Sequence, residues 1–188
     1  MGTSSDSRAA SPRTAPQAET LIEAATSDTG PILHLHEIDR LGTLDIFRQI
    51  EIPPLVGQEL SRFGLGPTRL AELGLPNVEV SPVDEPVWKK FLRESAPRIQ
   101  PADAQVAVLA SKLGEKQPVL TDDLALRRVV EGRGGIVVGS VGILVRAYKA
   151  WKWEKSQLRE AVDLLFSKST LHISPAFRGY VQSLLKRL

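Results

Sequence analysis

The sequence predicts one α/β domain in which a parallel sheet is covered by helices on both faces. Three observations carry this. Short apolar runs bounded by Gly, Pro, Thr and Asp, such as residues 118–121 and 136–138, have the length of buried strands. Segments with helical spacing alternate with them, most clearly after Pro101, where Val106, Leu109, Ala110 and Leu113 recur at i, i+3, i+4 and i+7. Five carboxylates far apart in the chain, Asp28, Glu59, Asp103, Asp122 and Asp123, include at least four that fall where a strand ends or a helix begins. Such alternation implies right-handed crossovers, and sheets built this way bind ligands at the carboxyl ends of their strands.

Taken in order, residues 1–20 are rich in Ser, Thr, Ala, Pro and Arg with almost no large apolar side chain. They cannot bury enough surface to offset their ordering entropy, so a disordered tail is expected there and the domain over residues 21–188. A short strand over 21–27 runs into Asp28, and Thr29-Gly30-Pro31 turns the chain into a helix over 29–36. The strand residues 21–26 are less apolar than a central buried strand normally is, which predicts an irregular start. A second helix is expected over 41–50, a short extended entry at Ile52-Pro53-Pro54, and a helix carrying Glu59 over 55–63. Residues 64–74 show no period, 77–83 alternate as a strand, and 88–94 form a short helix that Pro97 to Pro101 interrupts. After the helix that begins at Pro101 come a strand over 118–121, a helix over 124–131, a glycine turn, a strand over 136–138, and helices over 141–151, 156–167 and 175–188.

Composition narrows the chemistry. The 188 residues give room for one domain with a sizeable core. The absence of cysteine excludes disulfides, thiolate metal sites and a cysteine nucleophile, and fits an intracellular protein. Three histidines, His34, His36 and His172, leave little material for a histidine-rich metal centre. The longest apolar stretch, 134–145, is too short and glycine-rich to span a bilayer, and no apolar signal-peptide core precedes the domain. A soluble, cytoplasmic protein without a membrane partner is therefore expected. Glycine-rich residues 132–142 lack both the P-loop lysine and the GxGxxG spacing, which argues against nucleotide binding.

Charge is polarised along the chain. Residues 1–126 carry 12 Lys/Arg against 18 Asp/Glu and residues 127–188 carry 12 against 4, net −6 followed by +8. An acidic pocket beside a basic flank suits a protein that must attract a phosphate backbone to a negative site. Trp151 and Trp153 stand among Lys149, Lys152 and Lys155, where base stacking competes with core packing as their role.

Carboxylates converging from strand ends form the oxygen-rich donor set preferred by Mg²⁺ or Mn²⁺, and such ions hydrolyse phosphodiesters by polarising the phosphate and activating water. Each acid also has a duller reading. Asp28 would cap the helix at Thr29, Asp103 would complement a helix dipole for ~0.3–1 kcal/mol, Glu59 would sit in solvent, and Asp122 or Asp123 would cap the helix at Leu124. His34 and His36 diverge if their segment is helical, which gives them surface or packing roles.

Several segments resemble one family in unbroken order. Ser27-Asp28-Thr29-Gly30-Pro31-Ile32-Leu33, Ile52 to Leu60 (IPPLVGQEL), Asp103 to Ala110 (DAQVAVLA), Leu120-Thr121-Asp122-Asp123, Gly135 to Leu144 (GIVVGSVGIL) and Ile173-Ser174-Pro175 are similar to segments of PIN-domain proteins, in particular the PIN-like branch related to VapC-type toxins. The resemblance covers about residues 22–188 and implies a Rossmann-like three-layer α/β/α sandwich. It implies an endoribonuclease dependent on Mg²⁺ or Mn²⁺ that cleaves single-stranded or structured RNA. Asp28, Glu59, Asp103 and Asp122 would be its catalytic acids. The branch spacing favours Asp122 as the fourth acid, and the Thr-x-Asp pattern of other PIN domains favours Asp123. A small antitoxin protein as partner and a homodimer follow from the same resemblance, with a weakly catalytic scaffold that binds nucleic acid or protein as the alternative. Residues 64–101 carry no motif of the family.

Overall fold

In the computed structural model, which describes residues 22–113, 117–151 and 153–188, β1 (Ile22–Ser27), β2 (Phe47–Ile52), β3 (Val78–Val80), β4 (Val119–Leu120) and β5 (Val137–Val138) form one all-parallel sheet in the order β3-β2-β1-β4-β5. The tail expected over 1–20 lies outside the described residues. Register is set along the central strand: Ala25 stands beside Ile50, Thr26 beside Val119 and Ser27 beside Leu120. Both neighbours of β1 are strands, so its side chains point into helix layers on either side. Ala25, Thr26 and Ser27 are buried because small side chains let those layers approach the sheet closely.

Helices fill the connections: α1 (Thr29–Glu37), α2 (Pro54–Arg62), α3 (Pro67–Glu72), α4 (Glu85–Glu94), α5 (Pro101–Leu113), α6 (Leu124–Glu131), α7 (Ser140–Trp151), α8 (Lys155–Lys168) and α9 (Pro175–Arg187). From β1 the chain steps outward one way to β2 and β3, and from β4 it steps the other way to β5. Right-handed crossovers therefore put α1 and α6 on opposite faces, giving the three-layer sandwich. On one face α1 packs against α7 and α8; on the other α5 packs against α4 and α6. Ile32 and Leu35 of α1, Ile143 and Leu144 of α7 and Val106 of α5 are fully buried, each contributing about 1.5–3 kcal/mol by leaving water.

The strand order reverses between β1 and β4. Their carboxyl ends form a switch point, the place where such sheets leave a crevice. Asp28 follows β1 directly, and Thr121, Asp122 and Asp123 follow β4.

The structure corrects several sequence expectations. Residues 41–50 are not one helix: a 3₁₀ turn over Leu41–Ile46 hands over to strand β2. Phe47, Ile50 and Ile52 are aromatic or β-branched, and pairing on both sides with β1 and β3 outweighs the weak helical spacing before them. The start of β1 is regular rather than irregular, since its pairing with β2 begins at Ile22. Helix α3 arises in the stretch without period because Leu70 is its single buried residue, too little to generate a pattern. Helix α4 begins at Glu85, three residues early, where the Asp84 carboxylate accepts from Val87 N. Trp151 and Trp153 lie 5.6 Å apart and are partly buried against the core, which makes packing their role. No helix among the described residues is long and apolar enough to cross a membrane.

Candidate active site

Asp28 is held at the switch point by backbone and side chain together. Its N–H donates to Leu120 O at 2.9 Å, continuing the β1–β4 ladder past the end of the strand. Its carboxylate accepts from Thr29 N at 2.7 Å and from the buried Thr121 hydroxyl at 3.0 Å. Burial nevertheless pushes its pKa up to about 7, helped by the negative charge of Asp103 and less by Glu59, against the pull of the Thr29 and Thr121 hydrogen bonds.

Asp103 enters from the first turn of α5 and is buried. Gln100 N donates to its Oδ2 at 2.7 Å. Its pKa is raised to about 6, first by burial and then by the charges of Asp123 and Glu59, with the Gln100 bond opposing. Glu59 comes from α2 and accepts the Thr29 hydroxyl at 2.6 Å, so it is neither free nor fully solvated. Asp123 is the N-cap of α6: its Oδ1 accepts from Leu126 N at 2.7 Å, and its own N–H donates to Thr121 Oγ1 at 3.0 Å. Thr121 thereby joins Asp28 to Asp123 through one hydroxyl. The four acids Asp28, Glu59, Asp103 and Asp123 share one electrostatic environment.

Asp122 has a different set of partners. Its carboxylate accepts from Ser140 N at 2.8 Å, from the Ser140 hydroxyl and from His34 Nδ1 at 2.9 Å. Along an extended segment successive side chains point to opposite sides. Thr121 and Asp123 accordingly face the acid cluster, while Asp122 faces α1 and α7. His34, expected in a surface or packing role, is part-buried and spends one ring nitrogen on this contact, and Ser140 carries no sequence signal beyond its place in the GIVVGSVGIL segment.

Helices α1, α2, α6 and α7 each start just after a strand, so their positive N-terminal ends gather at the same edge of the sheet. That field favours carboxylates and an incoming phosphate alike. The Arg127 guanidinium lies beside Gly139, and Arg146 Nη1 donates to Gly142 O at 3.4 Å, which places two cations at the α6 and α7 starts. Arg127 also pairs with Glu131 at 3.2 Å.

Oxygen donors alone, repelling one another at raised pKa, are the chemistry a hard divalent cation satisfies. Each of the four carboxylates has lone pairs beyond its hydrogen bonds. Among the described residues, however, no three His, Asp or Glu side chains are drawn together closely enough to hold an ion as they stand. Binding one requires their side chains to close in.

Comparison with known families gives a match over residues 24–187 to a model described as a PIN domain. Comparison with curated proteins gives no match.

Proposed function

Because the chain belongs to the PIN-domain family, whose fold is that of nucleases typically using divalent metals, we propose that it is an endoribonuclease dependent on Mg²⁺ or Mn²⁺. The observation that carries this reading is the pair of buried acids Asp28 and Asp103, held at the switch point with their protons retained to about 7 and about 6 by burial and by the neighbouring carboxylates. Asp28, Glu59, Asp103 and Asp123 would hold the ion. When bound, it supplies polarisation of the phosphate and an activated water.

The chain's own groups do the rest. Thr121 fixes Asp28 relative to Asp123, and Thr29 does the same for Asp28 and Glu59, its N–H serving one acid and its hydroxyl the other. Arg127 and Arg146, at the α6 and α7 starts, would offer positive charge to a phosphate strand. The net +8 of residues 127–188 supports an RNA backbone as the partner. The resemblance to toxin ribonucleases supports a role as the toxin of a toxin–antitoxin pair, with a small antitoxin protein as partner and a homodimer as the working state.

The test is cleavage of a mixed RNA pool with Mn²⁺, Mg²⁺ or EDTA, using Asp28→Asn purified identically as the control. Cleavage that needs metal and disappears in the variant is expected. Cleavage that survives EDTA, or that persists in the variant, overturns the reading. One observation favours the alternative of a weakly catalytic scaffold, namely that the carboxylates stand apart. Mn²⁺ titration separates the two, since a scaffold would bind none at millimolar concentration.

A further inference from the structure

We infer that Asp122 is a structural anchor rather than a metal ligand: it is the keystone that ties the start of α7 and the body of α1 to the end of β4, on the side of the extended segment away from Thr121 and Asp123. This rests on the nuclease reading above and divides the labour within its paired acids.

Two independent observations carry it. The first is the number of donors already on the carboxylate, three against two on Asp28 and one on Asp103. Oδ1 accepts the Ser140 N–H, and Oδ2 accepts both the Ser140 hydroxyl and His34 Nδ1. The His34 nitrogen facing a carboxylate carries the proton, which fixes the ring's tautomer and leaves no donor there unpaired. Ser140 is fully buried and opens α7, so Asp122 also neutralises the positive end of that helix from outside it.

The second observation is the space around it. A Cβ at Gly139 would lie 2.7 Å from Asp122 Oδ1, a separation real Cβ atoms do not show. A Cβ at Gly30 would touch His34 Cε1 at 3.4 Å and Asp122 Cβ at 3.9 Å. Glycine at 139 is therefore what admits the carboxylate against the backbone of Ser140. The cradle is built from the Gly-Ser pair between β5 and α7, from α1 and from the end of β4, and it adds side-chain bonds to the backbone ladder in which Thr121 N donates to Val138 O at 3.1 Å. Removing the carboxylate would strand the buried Ser140 hydroxyl, its N–H and a part-buried imidazole N–H. Thr121 and Asp123 on either side of it have their own bonds, to Asp28 and Val138 and to Leu126, and keep them when the anchor is lost.

The experiment compares full-length wild type, Asp122→Asn and Asp123→Asn by thermal unfolding without metal and by calorimetric Mn²⁺ binding. Asp122→Asn should lower Tm by several degrees and leave the Mn²⁺ Kd of the folded protein within about threefold. Asp123→Asn should change Tm little, because Asn also caps helices well, and weaken Mn²⁺ at least tenfold. An Asp122→Asn protein that keeps its Tm and loses Mn²⁺ as Asp123→Asn does overturns the inference. If Asp122→Asn does not fold, Ser140→Ala carries the test: a lower Tm with intact Mn²⁺ binding supports it, and the reverse pattern overturns it. Wild type that binds no Mn²⁺ would remove the nuclease reading, and the Tm comparison would then decide the keystone by itself.

Discussion

On one side of the segment Thr121-Asp122-Asp123 a carboxylate meets three donors; on the other, two buried carboxylates meet mainly other carboxylates. Asp122 is tied to Ser140 and His34, and every polar group in its cradle is paired. Asp28 and Asp103 keep fewer donors and repel each other, with pKa values raised to about 7 and about 6. The difference separates a carboxylate held by donors from carboxylates whose protons are retained by burial and by one another's charge. A buried charge that is fully paired is costly to remove, whereas one left facing like charge is costly to keep.

Substituting one acid from each side should therefore give opposite results, and Asp28→Asn should give the larger. Metal-dependent cleavage should fall at least about 100-fold, in line with the loss of a group acting at the reacting phosphate. Its stability should move the other way. The folded pKa of Asp28 lies above its unfolded value near 3.8, so the native state binds the extra proton and wild-type stability falls as pH rises from about 4 to about 7. Asn carries no such penalty. The Tm of Asp28→Asn should equal that of wild type near pH 4 and exceed it by a few degrees at pH 7.5, a difference on the order of 1–3 kcal/mol after allowing for solvent screening. Added Mn²⁺ should raise the wild-type Tm more at pH 7.5 than at pH 5. Unfolding curves across this range, with and without metal, check the sign. A wild-type protein that gains stability through the same window would show that the repulsion is absent.

Gly139→Ala tests the paired side by steric means. The new methyl must displace Asp122 Oδ1 or the Ser140 backbone, and forcing a well-packed site costs about 1–3 kcal/mol. A Tm lowered by several degrees with little change in Mn²⁺ affinity is expected. If Tm is unchanged, the carboxylate has room the structure does not show, and the contrast between the two sides weakens.

What the sequence disclosed follows the same division between local and distant causes. Helix α6 over Leu124–Glu131, with Asp123 as its cap, and the Asp103 helix were legible because the signals lie within one turn of each other. Strand β2 was not, since what makes Phe47–Ile52 a strand is partners 25 residues back and about 30 ahead. The order of the acids suggested one set, and the alternatives Asp122 and Asp123 lie on opposite sides of an extended segment. Asp122 meets His34 and Ser140, 88 and 18 residues away, contacts that no local spacing encodes. Thr29 and Thr121 were passed over because a hydroxyl that positions two acids at once has no signature until the fold brings those acids to it.

Thr29→Val sharpens the comparison most finely, because it alters the repulsive side without removing a charge. The hydroxyl donates to Glu59 at 2.6 Å, while the backbone N–H of the same residue caps Asp28 and survives the substitution. Valine keeps the shape and side-chain branching, so the fold should lose no more than the ~0.5–1.5 kcal/mol of one hydrogen bond. Glu59 would then be held by α2 alone and would sample positions from which it cannot reach an ion shared with Asp28 and Asp103. A Mn²⁺ Kd weakened a few-fold, with Tm nearly constant, is the expected result. If affinity is unchanged while Glu59→Gln weakens it, Glu59 reaches the ion without help from Thr29. If neither substitution matters, Glu59 acts only through its charge or not at all, and the metal set shrinks to the three aspartates on β1, α5 and the start of α6.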